Sequence, residues 1–193
     1  MIIEVIVTTQ DAQGRCHIAP MGVHVEGEGR LAILPFRPSR TLDNLMETGV
    51  AVVNYTDDAR IFAGCLTGRR DWPLVPAAQV QGQALEAALS WDEVTVESYE
   101  DDPVRPRFSC RVVAGRTRKP FRGLNRAKAA VVEGAILVSR LSMLPAERID
   151  REMAVLASAV DKTAGPDERE AWGWLVEAVE EYRRRQAAQG GAA

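Results

Sequence analysis

The sequence predicts an α+β protein, a β-rich domain followed by a three-helix region. Three observations carry that reading. Through about residue 118, apolar residues alternate or run in short β-branched stretches bounded by Gly, Pro, Asp and Ser. From about Gly123 the apolar spacing widens from two residues to nearly four. A chain of 193 residues is long enough for one large domain, or a medium domain with an appendage, and can bury a substantial core. The expected division is residues 1–118 and 119–193.

In order, MIIEVIVTT is β-branched and partly alternating, DAQGR is a turn cluster, and CHIAPMGVHV is a second strand interrupted at Pro20. EGEGR makes a glycine-bearing turn and LAILPF a third strand, completing a meander. TLDNLMETG has helical spacing, with Leu42, Leu45 and Met46 on one face and Gly49 at the position of a left-handed C-terminal cap. The continuous apolar run VAVVNY predicts a strand buried on both sides. ARIFAGCLTGRRDWPLVPAAQ is too punctuated by Gly and Pro to assign. EVTVESYE and RFSCRVVAG complete the strands, at about 7 to 9 residues each.

In the second part, Leu124, Ala127, Val131, Ala135, Val138 and Ser142 trace one helix face. Val132 and Ile136 add a second apolar side, which predicts a helix packed between two layers. Pro145 marks the first turn of a second helix, with Ile149, Met153, Leu156 and Val160 in one stripe before Gly165-Pro166. A last helix aligns Trp172, Leu175, Val176 and Val179, and its polar tail EEYRRRQAAQGGAA is expected to fray.

The net charge of −3 gives the chain as a whole no drive toward nucleic acid or an anionic membrane, so any polyanion site is local. Cys16, Cys65 and Cys110 are odd in number, far apart and lack a Cys-x-x-Cys pair, as expected of reduced thiols in a cytosol. No stretch reaches the ~18 apolar residues of a membrane span, and the N-terminal residues lack a leader pattern. We expect a cytoplasmic protein.

Three constellations bear on chemistry. In FRPSRTLDN, Arg37 and Arg40 flank hydroxyls at a helix start, with Ser39 or Thr41 suited to cap it. The backbone N–H groups of a first turn, the helix dipole and a planar guanidinium together suit a phosphate monoester. A capped surface helix with two solvated arginines fits the same residues. In HIAPMGV, Pro20 and Gly22 leave residues 19 to 22 offering bare backbone to a flat heterocycle, or mark an edge strand with a bulge. His17 and His24 lack the spacing of a metal pair, and no metal site is expected. RTRKPFRGLNRAK concentrates six cations. It is either a solvated face or a site for an anionic substrate, with Asn125 as cap and Arg126 reaching inward. Trp72 either packs or stacks on an aromatic ligand. P-loop, nucleophile-elbow, His-Glu-x-x-His and Gly-x-Gly-x-x-Gly motifs are absent, so an enzyme of this sequence would rely on a bound cofactor.

RPSRTLDNLMETGVAVVNYTDD is similar to the segment of flavin-reductase-like split barrels that reads Lys-Asp-Thr, then Asn, Thr-Gly and a Val-Val-Asn strand. HIAPMGV resembles their Asn-x-Ala-Pro strand. With the helix start FRGLNRAKAAVVEGAIL, the order of motifs from Ile2 to about Val179 resembles domain-of-unknown-function family 447. That resemblance implies an FMN-binding split β-barrel with a C-terminal three-helix region. It also implies that Arg37, Ser39, Arg40 and Thr41 hold the FMN phosphate and that Asn44 supports the loop. His17, Ile18, Ala19, Pro20, Met21 and Gly22 would run beside the isoalloxazine ring. Such split barrels are typically homodimers with flavin at the interface, so part of the site would come from a partner chain. Arg40 departs from the pattern, which has Asp there.

The expected function is FMN-dependent oxidation and reduction, passing electrons from NAD(P)H or another reduced donor to an acceptor, with pterin-linked one-carbon metabolism as one setting. Asn125 and Arg126 would meet the anionic substrate. The alternative is a flavin-binding protein without turnover, serving sensing or as a scaffold. Neither nucleic acid nor membrane is an expected partner.

Overall fold

The computed structural model describes residues 1–190. Strand β1 (Ile2–Gln10) turns into β2 (Cys16–Gly27) through a loop held by Asp11, whose Oδ1 accepts from the backbone N–H of Gln13 and Arg15 at 3.0 and 2.9 Å. A carboxylate that captures nearby N–H groups is what makes Asp a turn residue. Contrary to expectation, β2 is not interrupted at Pro20, which pairs with Ile6. β1 flanks β2 along Cys16–His24, but β3 (Arg30–Ile33) pairs only with Val23–Gly27. Pro20 therefore sits on a sheet edge, where a missing N–H breaks no second ladder.

Helix α1 (Arg40–Thr48) follows β3. Ser39 is its N-cap, its Oγ accepting from Leu42 N–H at 3.2 Å, and Gly49 ends it at φ 66°. Leu42 and Leu45 are buried, but Met46 is 57% exposed, so the apolar stripe is narrower than its sequence suggests. Strand β4 (Val50–Tyr55) is buried from Ala51 to Asn54, as a continuous apolar run requires. The stretch too punctuated to assign contains helix α2 (Ala59–Leu66) and strand β5 (Leu74–Pro76), and β5 pairs with β6 (Gln83–Leu85) just beyond it. Strands β7 (Ser90–Glu100) and β8 (Arg107–Thr117) form a long hairpin, each strand 11 residues and longer than expected. Helices α3 (Arg126–Val138), α4 (Ala146–Thr163) and α5 (Pro166–Gly190) complete the chain.

Six strands close an antiparallel barrel in the order β1-β2-β3-β8-β7-β4, and β4 returns to β1 through Ile6–Thr8. Val5, Val7, Val23, Ile33, Val53, Val94 and Phe108 fill the barrel. Leu42 and Leu45 join that cluster, so α1 plugs the end where β3 finishes and β4 begins. Outside the barrel wall, buried Asn54 donates to Ile6 O, Thr8 Oγ1 and Val52 O at 3.0 to 3.1 Å and accepts from Leu85 N–H at 2.7 Å. That one amide joins β1, β4 and β6.

Among the described residues, Glu93 is the buried carboxylate. It accepts from the backbone N–H of Ala78, Gln79 and Val80 and from Trp91 Nε1. Burial pushes its carboxyl up, but the four donors together outweigh burial and hold it below the usual value.

The chain separates into two compact units, Met1–Asp57 with Asp71–Phe121, and Asp58–Arg70 with the residues from Arg122 onward. In the second unit α2 joins the three C-terminal helices. Its N-cap Asp58 holds Arg60, which also pairs with Asp167 of α5 at 3.2 Å. Helix α3 packs against α2, α4 and α5, consistent with its two apolar sides. It begins at Arg126, so Leu124 is not on its face and is 97% exposed. Ile149, Val160, Leu175 and Val179 are buried as their stripes predict. The polar tail expected to fray stays helical through Gly190, supported by ion pairs of Arg183 with Asp150 and Arg185 with Glu181. Residues 191–193 lie outside the described residues.

Candidate functional site

The two motifs singled out in the first unit meet through β1. Thr9 lies opposite His17 in the β1–β2 ladder, and Thr9 Oγ1 accepts from Asn44 Nδ2 of α1 at 2.9 Å. Helix α1 also touches β2. The start of α1 and the free edge of β2 are therefore neighbours.

On the helix side, Ser39 settles which hydroxyl caps α1, and it takes up Leu42 N–H. The N–H groups of Arg40 and Thr41 have no acceptor among the described residues and point out of the helix start, as first-turn donors do. The Arg40 guanidinium is exposed and makes no ion pair among the described residues. Thr41 is 2% exposed, so its side chain is withdrawn from the surface while its backbone N–H stays at the helix start. Arg37 is already engaged, with Nη2 reaching Asp101 Oδ1 at 2.8 Å and Tyr99 Oη at 3.0 Å, while Tyr99 donates to the same Asp101 oxygen at 2.7 Å. Asn44 is 3% exposed and its amide N–H goes to Thr9, so it ties α1 to β1.

On the strand side, Ile18 is buried, and Ala19, Pro20, Met21 and Gly22 are half-buried along a stretch that pairs with no strand beyond β1 among the described residues. His17 is half-buried at the start of that stretch. Gly22 has a packing reason as well. A Cβ there would lie 2.7 Å from Ile2 Cγ2 and 3.3 Å from Glu4 Oε1. The bulge envisaged near residue 20 falls farther along, between Val25 and Gly27.

Asn125 and Arg126 lie in the other unit. Asn125 Oδ1 accepts from Ala127 and Lys128 N–H at 2.8 and 3.2 Å, and its Nδ2 donates to Thr163 O at 3.0 Å. Both ends of its amide are occupied, the oxygen capping α3 and the nitrogen bonded to the end of α4. Arg126 is exposed. Trp72 is half-buried.

Burial pushes the Cys16 and Cys65 thiols to about 11 and Cys110 to about 12, so none is a ready nucleophile at neutral pH. No cluster of His, Cys, Asp and Glu suited to a metal ion exists among the described residues. No described helix is long and apolar enough to cross a membrane.

Sequence reasoning missed Thr9, Tyr99 and Asp101. Thr8-Thr9 is a visible signal, two hydroxyls ending an apolar strand. Nothing local marks Asp101 as the partner of a residue 64 positions earlier.

Family models describing a "Protein of unknown function (DUF447) N-terminal domain" and a "Protein of unknown function (DUF447)" match residues 3–119 and 125–177. Among solved structures, the FMN-bound DUF447 protein MM1853 of Methanosarcina mazei is similar at 19% identity, covering 92% of this chain and 94% of that one, with a TM-score of 0.79. Flavoredoxin of Methanosarcina acetivorans aligns at 13% identity over 62% of this chain and 74% of its own, with a TM-score of 0.53. The 2-nitrobenzoate 2-nitroreductase of Pseudomonas fluorescens aligns at 22% identity, 60% and 64% coverage, and a TM-score of 0.51. The fold is thus the split barrel shared by these proteins.

Proposed function

The chain belongs to the DUF447 family, and from that premise we propose that it binds FMN and works as a flavin-dependent oxidoreductase. The observation that carries this reading is the junction of α1 with β2. The first-turn N–H groups of Arg40 and Thr41 and the exposed Arg40 side chain belong to a helix that touches β1 and β2, and β2 from Ile18 to Gly22 pairs with β1 alone among the described residues.

The residues fit the group. A phosphate needs several donors and positive charge, and the helix start supplies both. A flat ring with hydrogen-bonding edges needs a flat polar surface. An edge strand carrying Ala, Pro and Gly offers backbone groups with few side chains in the way.

Bound there, FMN would supply the acceptance and delivery of a hydride or of single electrons. The chain's own part is to grip the phosphate at Arg40 and Thr41, lay the ring along Ile18–Gly22 and keep water from one face of it. Arg37 joins the phosphate only by leaving Asp101. Residues 1–118, apart from the α2 segment Asp58–Arg70, form the flavin domain in this reading, and 119–193 with that segment a helical region. The proposed setting is a cytoplasmic homodimer with flavin at the interface, using NAD(P)H or another reduced donor. A pterin-linked acceptor is one further proposal.

The test is the purified protein itself. Bound FMN, identified by its mass and absorption, and bleached anaerobically by NADH or NADPH, supports the oxidoreductase. FMN retained but never bleached by a panel of donors points to the flavin-binding protein without turnover. A colourless chain that stays colourless in excess FMN overturns both.

A further inference from the structure

The barrel has two ends, and among the described residues only the one at α1 is plugged. At the end opposite α1, a cavity of about 440 Å³ opens between the β2–β3 turn and the ends of β1, β4 and β7. Its walls are apolar, with Ile3, Val25, Leu31 and Val112 prominent, but one polar pair faces into it. Asp92 sits opposite Val53, a barrel-core residue, and so points to the inward face of the sheet. A carboxylate on the inside of a six-stranded barrel needs a reason.

Two features accommodate it. Tyr55 donates from Oη to Asp92 Oδ2 at 2.7 Å. Gly115 lies opposite Asp92 on β8, and a Cβ there would meet Asp92 Oδ1 at 2.9 Å. The side chain missing at 115 leaves room for the second carboxylate oxygen.

We propose that the open end of the barrel is a second ligand site, taking a small molecule with an aromatic or aliphatic body and one protonated amine. Tyr55 keeps its proton, because burial first and the Asp92 carboxylate second push the phenol well above its ordinary range. That proton is committed to Asp92. The pair therefore presents only acceptor lone pairs to the cavity, so the complementary ligand group is a donor, and the negative charge of Asp92 favours a cationic one. Arg30 lines the rim but is drawn to Glu97 at 3.7 Å. The volume lies within the ~300–1,000 Å³ common for small-molecule sites. All these residues belong to the barrel unit, and the proposal does not depend on flavin binding.

The test uses the full chain with phenethylamine and its neutral analogue 2-phenylethanol, followed by ligand-observed NMR and by chemical-shift changes at Tyr55, Leu31 and Val112. The amine should bind about tenfold more tightly than the alcohol at neutral pH. Asp92→Asn should remove that preference, and Val112→Trp should abolish binding of both. Thermal melting shows that each variant folds, and Ile3→Trp serves if Val112→Trp does not. FMN titrations should be the same in all variants. Equal binding of amine and alcohol, binding that survives the tryptophan variants, or no binding at millimolar probe would each overturn the proposal.

Discussion

Asn44 Nδ2 and Thr9 Oγ1 lie 2.9 Å apart with both residues buried, and this contact fixes the start of helix α1 against the strand that carries His17 across its ladder. The bond joins a short helix to a barrel wall at the one place where the proposed phosphate and ring sites meet.

Replacing Asn44 by Ala should therefore act twice. It leaves the buried Thr9 hydroxyl without its donor, at a cost of about 1–3 kcal/mol. It also frees the helix start to drift, so FMN affinity should fall even though Asn44 touches no phosphate in this reading. Thermal denaturation and flavin-fluorescence titration measure the two effects. Unchanged affinity in a destabilised variant would make the contact purely structural.

Arg40 and Arg37 should differ. Arg40 makes no ion pair among the described residues, whereas Arg37 is shared with Tyr99 and Asp101. Arg40→Ala should weaken FMN by about 10- to 100-fold, the scale of a lost charge-assisted contact. Arg37→Ala should cost less, because wild-type Arg37 must give up Asp101 before it reaches a phosphate. Asp101→Ala should narrow the gap by releasing Arg37. Equal losses from the two arginines would show that Asp101 does not compete.

Much of this was legible before the structure. Gly49 ends α1 because only a residue tolerant of positive φ closes a helix that way, and Ser39 beside a periodic run signals its start. Helix α2 was not legible. Ala59, Ile61, Phe62, Ala63, Gly64 and Cys65 are all buried, so the segment has no polar face to reveal a helical period. Continuity of β2 through Pro20 depends on where β3 stops, which is a property of pairing and not of the strand's own residues. At the candidate site, the hydroxyls and arginines could be read from type and spacing. That Arg37 is held by Asp101, or that Asn44 reaches Thr9, follows from contacts between positions distant in the chain.

Glu93 makes acid stability predictable. Its folded pKa lies below the usual value near 4.5, so its stabilisation is complete above that value and is lost as pH falls through the lowered folded value. Glu93→Gln puts an amide N–H against backbone donors and should cost about 2 kcal/mol or more at neutral pH. Urea melts at about pH 7 and about pH 3 should show that penalty shrinking in acid, where the wild-type carboxylate is protonated too. A penalty independent of pH would mean that the charge on Glu93 is not what holds the loop at residues 78–80.

Two helical glycines should respond in opposite directions to the same change. Alanine is better than glycine in a helix interior by about 1 kcal/mol, which taken alone stabilises either site. At Gly173 of α5 an added Cβ meets nothing within 4 Å, so Gly173→Ala should raise the melting temperature. At Gly134 of α3 the same Cβ would lie 2.9 Å from Trp172 Cζ3 and 3.1 Å from Leu175 Cδ1, closer than packed carbons tolerate. Pushing α3 and α5 apart costs about 1–3 kcal/mol, more than the propensity gain, so Gly134→Ala should lower the melting temperature and Gly134→Val should lower it further. If both alanine variants gain stability, the Trp172 ring can move aside at little cost and the close approach of α3 to α5 does not depend on the missing side chain.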